Sequence, residues 1–211
     1  MAVNGWLPPE NSCAADTVDR VVASIGSTAI TQSDVEVEYR FEMFLVGHPQ
    51  TPPPDSKELD QARDRLIQQT LLTLEAEGEG LKVENSRTEA MRWLDQVRKD
   101  YPDSQSYQSA LAATTMTEEE ALARLENHVR TLRLIDQRLR PNAWVDQKEI
   151  GHYYEDKFSP DYTRRTGVSA PALDKVEDEI REILVQQKVD QLLAEWLKEI
   201  RESRHVEFHS F

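Results

Sequence analysis

The chain has 211 residues with 25 Lys and Arg against 39 Asp and Glu, a formal net charge of −14. That balance argues against an unassisted grip on nucleic acid or an anionic membrane, because phosphate binding depends on Lys and Arg that neutralise charge and release counterions. Only seven glycines are present, which disfavours turn-dense sandwiches and Gly-rich phosphate loops and favours long helices.

Residues 1–17 hold Pro8, Pro9, Asn4, Gly5 and Asn11 without an apolar period, so a disordered lead-in is expected there. The β-branched run Val21 to Ile25, then Gly26, Ser27 and Thr28 before Ala29 and Ile30, predicts a short strand with a tight return. Thr31 with Asp34, and Ser33 with Glu36, match the capping box, so a helix is predicted from about Ser33 to Val46. A second helix is expected from near Ser56, with Leu59, Ala62, Leu66, Thr70 and Leu74 on one stripe, ending at Gly78 or Gly80. Ser86 to Lys99 places Ala90, Trp93, Leu94 and Val97 on one side, with Tyr101 continuing that side before Pro102. A short helix covers Ser104 to Ala113. Thr117 with Glu120 opens the clearest helix, whose period runs through Leu122, Leu125, Val129, Leu132, Ile135 and Leu139 until Pro141.

Asp146 with Glu149 predicts a further start, followed by Ile150, Tyr153 and Tyr154 and fading near Phe158. Pro160, Gly167 and Pro171 make 159–171 read as a loop. The last helix is the longest, with Val176, Ile180, Ile183, Leu184, Val189, Leu192, Leu193, Trp196, Leu197 and Ile200 on roughly seven turns. His205 to Phe211 alternates as a strand, with Val206 and Phe208 on its core face. An isolated strand leaves its amides unpaired, so the two chain ends are expected to pair into a small sheet. The predicted fold is mainly α, a bundle of about six to seven helices with that sheet.

No residue pattern marks an enzyme. The dinucleotide, phosphate-loop, nucleophile-elbow and His-Glu-x-x-His signatures do not occur in the sequence. Cys13 is the lone cysteine, so neither an intramolecular disulfide nor a Cys-based zinc site can form. His205, Glu207 and His209 would share one strand face and could in principle hold zinc, but a solvated face at the chain end, with Val206 and Phe208 turned to the core, is the preferred reading. His128, between Leu125 and Leu132, reads as a core-edge histidine. Glu118 to Glu120 complement the dipole of a helix start. No catalytic residue, metal or other cofactor is therefore assigned.

The first helix carries Val37, Tyr39, Phe41, Met43, Phe44, Leu45 and Val46, more apolar residues than one stripe of a surface helix accommodates. Either it is buried on most sides, or part of it lines a groove for another apolar chain. Phe41, Met43 and Phe44 are then groove candidates, extended by Met91, Trp93, Tyr107 and Met116, since methionine and aromatic side chains adapt to varied partners.

The order of these signals carries a resemblance. Val18 to Thr31 followed by Gln32-Ser33-Asp34-Val35 resembles the opening of the SurA-like chaperone family. Agreeing segments follow in order: Arg65 to Leu74 with Glu75-Ala76, Leu81-Lys82-Val83, Met116 to Glu119, Leu134 to Arg138, Val145 to Ile150 with Tyr153-Tyr154, and Val176 to Val206 with Trp196-Leu197. The similarity spans about Val18 to Phe211.

The resemblance implies a single chaperone module over 18–211, with an N-terminal helical region at 18–158 and a C-terminal helix and strand at 172–211 that return to it. In the family, parvulin prolyl-isomerase domains usually sit between the Tyr-Tyr helix and the last helix. Here that interval is the 159–171 stretch, too short for about 100 residues, so isomerase activity is expected to be absent. The implied function is ATP-independent holding of hydrophobic and aromatic segments of unfolded or nascent envelope and outer-membrane polypeptides. The implied location is the periplasm, with a leader removed. Nucleic acid and stable membrane insertion are not expected. The alternative from the residues alone is a structural or assembly module that buries its apolar surplus in a homodimer, by exchange of the long C-terminal helix.

Overall fold

The computed structural model describes residues 19–47, 53–80 and 83–209; the expected lead-in at 1–17 lies outside them. β1 (Val21–Ile25) and β2 (Thr28–Thr31) form an antiparallel hairpin. Its turn uses Gly26 at φ +56°, a conformation that costs glycine little. β3 (Val206–Phe208) pairs antiparallel with β1, so the sheet order is β2-β1-β3 and the two chain ends close on each other.

The helices are α1 (Gln32–Leu45), α2 (Ser56–Gly78), α3 (Ser86–Lys99), α4 (Ser104–Ala113), α5 (Glu118–Leu139), α6 (Gln147–Tyr153), α7 (Ser159–Thr166) and α8 (Leu173–Ser203). Reciprocal capping boxes open four of them. Thr31 with Asp34, Asp55 with Glu58, Thr117 with Glu120 and Asp146 with Glu149 each satisfy free amides of a first turn. α8 packs on α2, α5 and α6 of the same chain.

Two buried clusters divide the core. The first joins the sheet to α1, α2, the C-terminal half of α5 and α8, with Val22, Ile25, Val35, Ile67, Leu71, Leu134 and Ile200 among its members. The second joins the C-terminal half of α1 to α3, α4 and the start of α5 through Phe44, Leu94, Val97, Tyr107, Leu111 and Leu125. A smaller cluster of Val145, Ile150, Val176 and Ile180 fastens α6 to α8.

Two expectations are corrected. The stretch 159–171 is not all loop: α6 continues through a π turn, Tyr154–Phe158, into α7 as one rod. The Ser159 amide donates to the Tyr154 carbonyl five residues back, and this widened register lets Pro160, which lacks an amide and would crowd a normal turn, enter without ending the helix. Tyr154, Phe158 and Tyr162 stack along the rod at 6.0 and 5.9 Å between ring centroids. The rod ends at Gly167, φ +74°. Phe208, expected on the core face, is 53% exposed, with the Arg63 guanidinium 5.3 Å from its ring centroid. β3 is only three residues long and sits at the sheet edge, so the core reaches Val206 and not Phe208.

A candidate client-binding cleft

Between the two main clusters lies a cleft of about 510 Å³. One wall comes from α1, whose residues Glu38, Phe41, Glu42 and Leu45 recur at helical spacing on one face. α2 runs along it with Arg65, Leu66, Gln69, Thr70, Thr73, Leu74 and Glu77. α5 supplies Arg124, Leu125, Asn127, His128 and Thr131, and Trp93 of α3 closes one side. The span from Arg65 to Glu77 is twelve residues, or about 18 Å of helix.

Ion pairs hold the walls in register. Glu38, 2% exposed, accepts hydrogen bonds from the Arg124 guanidinium and from Gln69 Nε2 at 2.9 Å, tying α1 to α5 and α2. Arg65 clamps Glu42 with two nitrogens. Burial pushes the Glu38 carboxyl above the usual carboxylate range, while Arg124 and Gln69 pull it back. His128 lies edge-on to Trp93, 5.2 Å between centroids, and burial lowers its pKa. The histidine is held toward its neutral form beside an aromatic ring, a setting for packing more than for charge.

Of the seven candidate residues, Phe41 and Trp93 meet at this cleft, Trp93 partly exposed and Phe41 buried, with 5% exposure. Phe44 and Tyr107 do not. Both are fully buried, with rings 5.5 Å apart, and Tyr101 seals them by donating its hydroxyl to the Phe44 carbonyl at 2.7 Å. The expectation that they face a groove is therefore corrected: α4 folds over the end of α1 and makes them core. Met43 is partly buried against the first cluster and lines a shallow recess with Tyr39 and Val46. Met116 packs partly buried on the second cluster. Met91 is 50% exposed on α3 and is absent from the cleft lining. Sequence reasoning missed Glu38, Gln69 and Arg124. A glutamate in the middle of an apolar helix, on the same face as Phe41, was the available signal.

The zinc arrangement does not form. His205 adopts φ +52° in the turn before β3, with Nδ1 3.1 Å from the Ser203 carbonyl. His209 lies beyond the strand with Nε2 3.4 Å from Ser24 Oγ. Among the described residues no three His, Cys, Asp or Glu side chains gather closely enough to hold a metal. No described helix is long and apolar enough to cross a membrane.

The sequence model of the SurA-like N-terminal domain matches residues 10–135, from before β1 to near the end of α5, and so takes in every helix that lines the cleft. The chain belongs to the SurA-like family. This module is of a chaperone type and is not itself catalytic. No curated protein matches the chain.

Proposed function

We propose that the protein is an ATP-independent holdase that receives exposed hydrophobic and aromatic segments of unfolded envelope polypeptides in the α1–α2–α5 cleft. The observation that carries this reading is the cleft itself, an apolar furrow lined by Phe41, Leu45, Leu66, Leu74, Trp93 and Leu125 in a domain of a chaperone-type family. Leu45, Leu66, Leu74 and Trp93 are partly exposed along it, and the Glu38–Arg124 and Arg65–Glu42 pairs tie its walls together.

The energetics fit a holding role. Burying one large apolar side chain is worth roughly 1.5–3 kcal/mol, so two or three such contacts give about 3–9 kcal/mol before the cost of ordering the segment. Only the upper figure, before that cost, reaches the level of about 8 kcal/mol that a 1 µM complex requires, so binding is weaker than micromolar. Such a complex exchanges without nucleotide, and neither ATP nor a catalytic side chain is required. Mutual repulsion at net charge −14 keeps loaded complexes apart. The family's usual setting favours the periplasm as the site of action.

The test is light scattering of a chemically unfolded outer-membrane protein diluted into buffer with stoichiometric amounts of the chain, with and without ATP. Suppression independent of ATP is expected. Thr73→Trp, which fills the cleft from a half-buried lining position, should abolish it while leaving the circular dichroism melt close to that of the parent. Equal suppression by the filled variant, or none by the parent, would overturn the reading.

A further inference from the structure

The charges of the cleft are not balanced along its length. At one end and in the middle, each cation is matched: Arg65 pairs with Glu42 and Arg124 with Glu38. At the other end stands Glu77, which has no cation within ion-pair distance among the described residues, although the acidic residues on either side of it in the chain are both neutralised, Glu75 by Arg204 at 2.7 Å and Glu79, just past α2, by Arg138. Glu77 is exposed, lines the cleft and lies in the last turn of α2, which contains no basic residue. The carbonyl end of a helix is itself negative, so the side chain and the helix terminus act with one sign at this point. An anionic occupant would be repelled there, and a cation would meet an unmet charge at the edge of an apolar furrow.

We propose that the cleft selects extended segments in which apolar or aromatic side chains are followed toward one end by lysine or arginine, the cation seated at Glu77. This rests on the holdase reading above and adds a sequence preference to it. The length is set by the furrow: about 18 Å along α2 accommodates roughly five or six extended residues at about 3.3 Å each. The apolar part lies on Leu45, Leu66, Leu74 and Trp93, and the basic part reaches the α2 terminus. The field of the whole chain, net −14, speeds the approach of such segments before contact is made.

The experiment is fluorescence anisotropy with three fluorescein-labelled decapeptides: an alternating leucine and phenylalanine core ending in two lysines, the same core ending in two glutamates, and the lysine peptide with its apolar residues replaced by serine. At low salt the apolar lysine peptide should bind at least about tenfold more tightly than either other peptide, with most of the advantage lost in 0.5 M salt. Glu77→Lys should erase or reverse the preference between the lysine and glutamate peptides. Glu155→Lys, an exposed site on the α6–α7 rod that changes net charge equally, should leave it in place. Equal binding of the two apolar peptides, or equal effects of the two variants, overturns the charge preference while leaving the holdase reading intact. Tight binding of the serine peptide overturns it in favour of charge alone. Failure of every peptide to bind, together with failure to suppress aggregation, overturns both.

Discussion

Successive turns of one helix have different surroundings. Toward its C-terminus α1 turns Phe44 into a closed aromatic core with Tyr101 and Tyr107, while one turn earlier Phe41, a 5% exposed member of the same cluster, borders the cleft beneath the Arg124 guanidinium, 5.7 Å from its ring. The two rings lie 6.2 Å apart and belong to the same apolar surplus. What separates them is what lies opposite: α4 covers Phe44, whereas Arg124, paired with Glu38, lies over Phe41 at the edge of the cleft. A buried, hydrogen-bonded ion pair adds little stability against an apolar replacement; here it links α1 to α5 beside the cleft. One region is closed core, and the other borders a cleft along which Leu45, Leu66, Leu74 and Trp93 stay partly exposed.

The strongest way to break this contrast is in the closed region. Phe44→Ala should cost about 3–5 kcal/mol, read as a large fall in the urea midpoint, and should reduce client holding only in proportion to the unfolded fraction. A mild loss there would mean that the aromatic cluster is not closed.

A smaller effect is expected from pH, and it has two opposite signs within the cleft. Burial raises the folded-state pKa of Glu38, so its contribution to stability is full below the ordinary glutamate value and is lost as pH rises through the raised one. Burial lowers that of His128, so its contribution is full above the ordinary value of about 6.5 and is lost as pH falls through the lowered one. Glu38→Gln should therefore remove a stability loss on the rising side of the profile, and His128→Asn one on the falling side. Thermal melts between pH 4 and 8 check this, and identical profiles for both variants would count against the burial of these groups.

The smallest effect is predicted for Met91, an apolar residue outside both regions. Met91→Ser should change stability by no more than about 0.5 kcal/mol and leave aggregation suppression unchanged. A marked loss of holding would move the client site onto the outer face of α3.

Much of the fold was legible from local signals. α3 and α4 begin and end where apolar spacing and the flanking turn residues place them, and Thr117 with Glu120 marks the start of α5. The pairing of the chain ends followed from the need of two isolated strands for partners. The continuation of α6 through Pro160 was not legible, because proline is an ordinary helix stop and only the π turn, a tertiary accommodation against α8, removes its clash. The site was legible only in part. Composition of α1 announced a surplus of apolar residues, but which of them is covered depends on α4, far along the chain. Phe44 and Tyr107 are indistinguishable from Phe41 and Trp93 by residue type. The bracing pair Glu38 and Arg124 is separated by 86 residues, and no local pattern joins them.

Site-directed photo-crosslinking tests the central claim, that the furrow and not apolar exposure in general receives the client, most directly. With Cys13 replaced by serine, a benzophenone placed at Thr73→Cys in the cleft is compared with one at Val168→Cys, just beyond the α6–α7 rod, where the native side chain is 58% exposed. On irradiation with an unfolded outer-membrane protein, strong crosslinks are expected from position 73, lost on addition of an apolar lysine-ended peptide, and few from position 168. Equal crosslinking from both positions, or crosslinking from 168 alone, would contradict it.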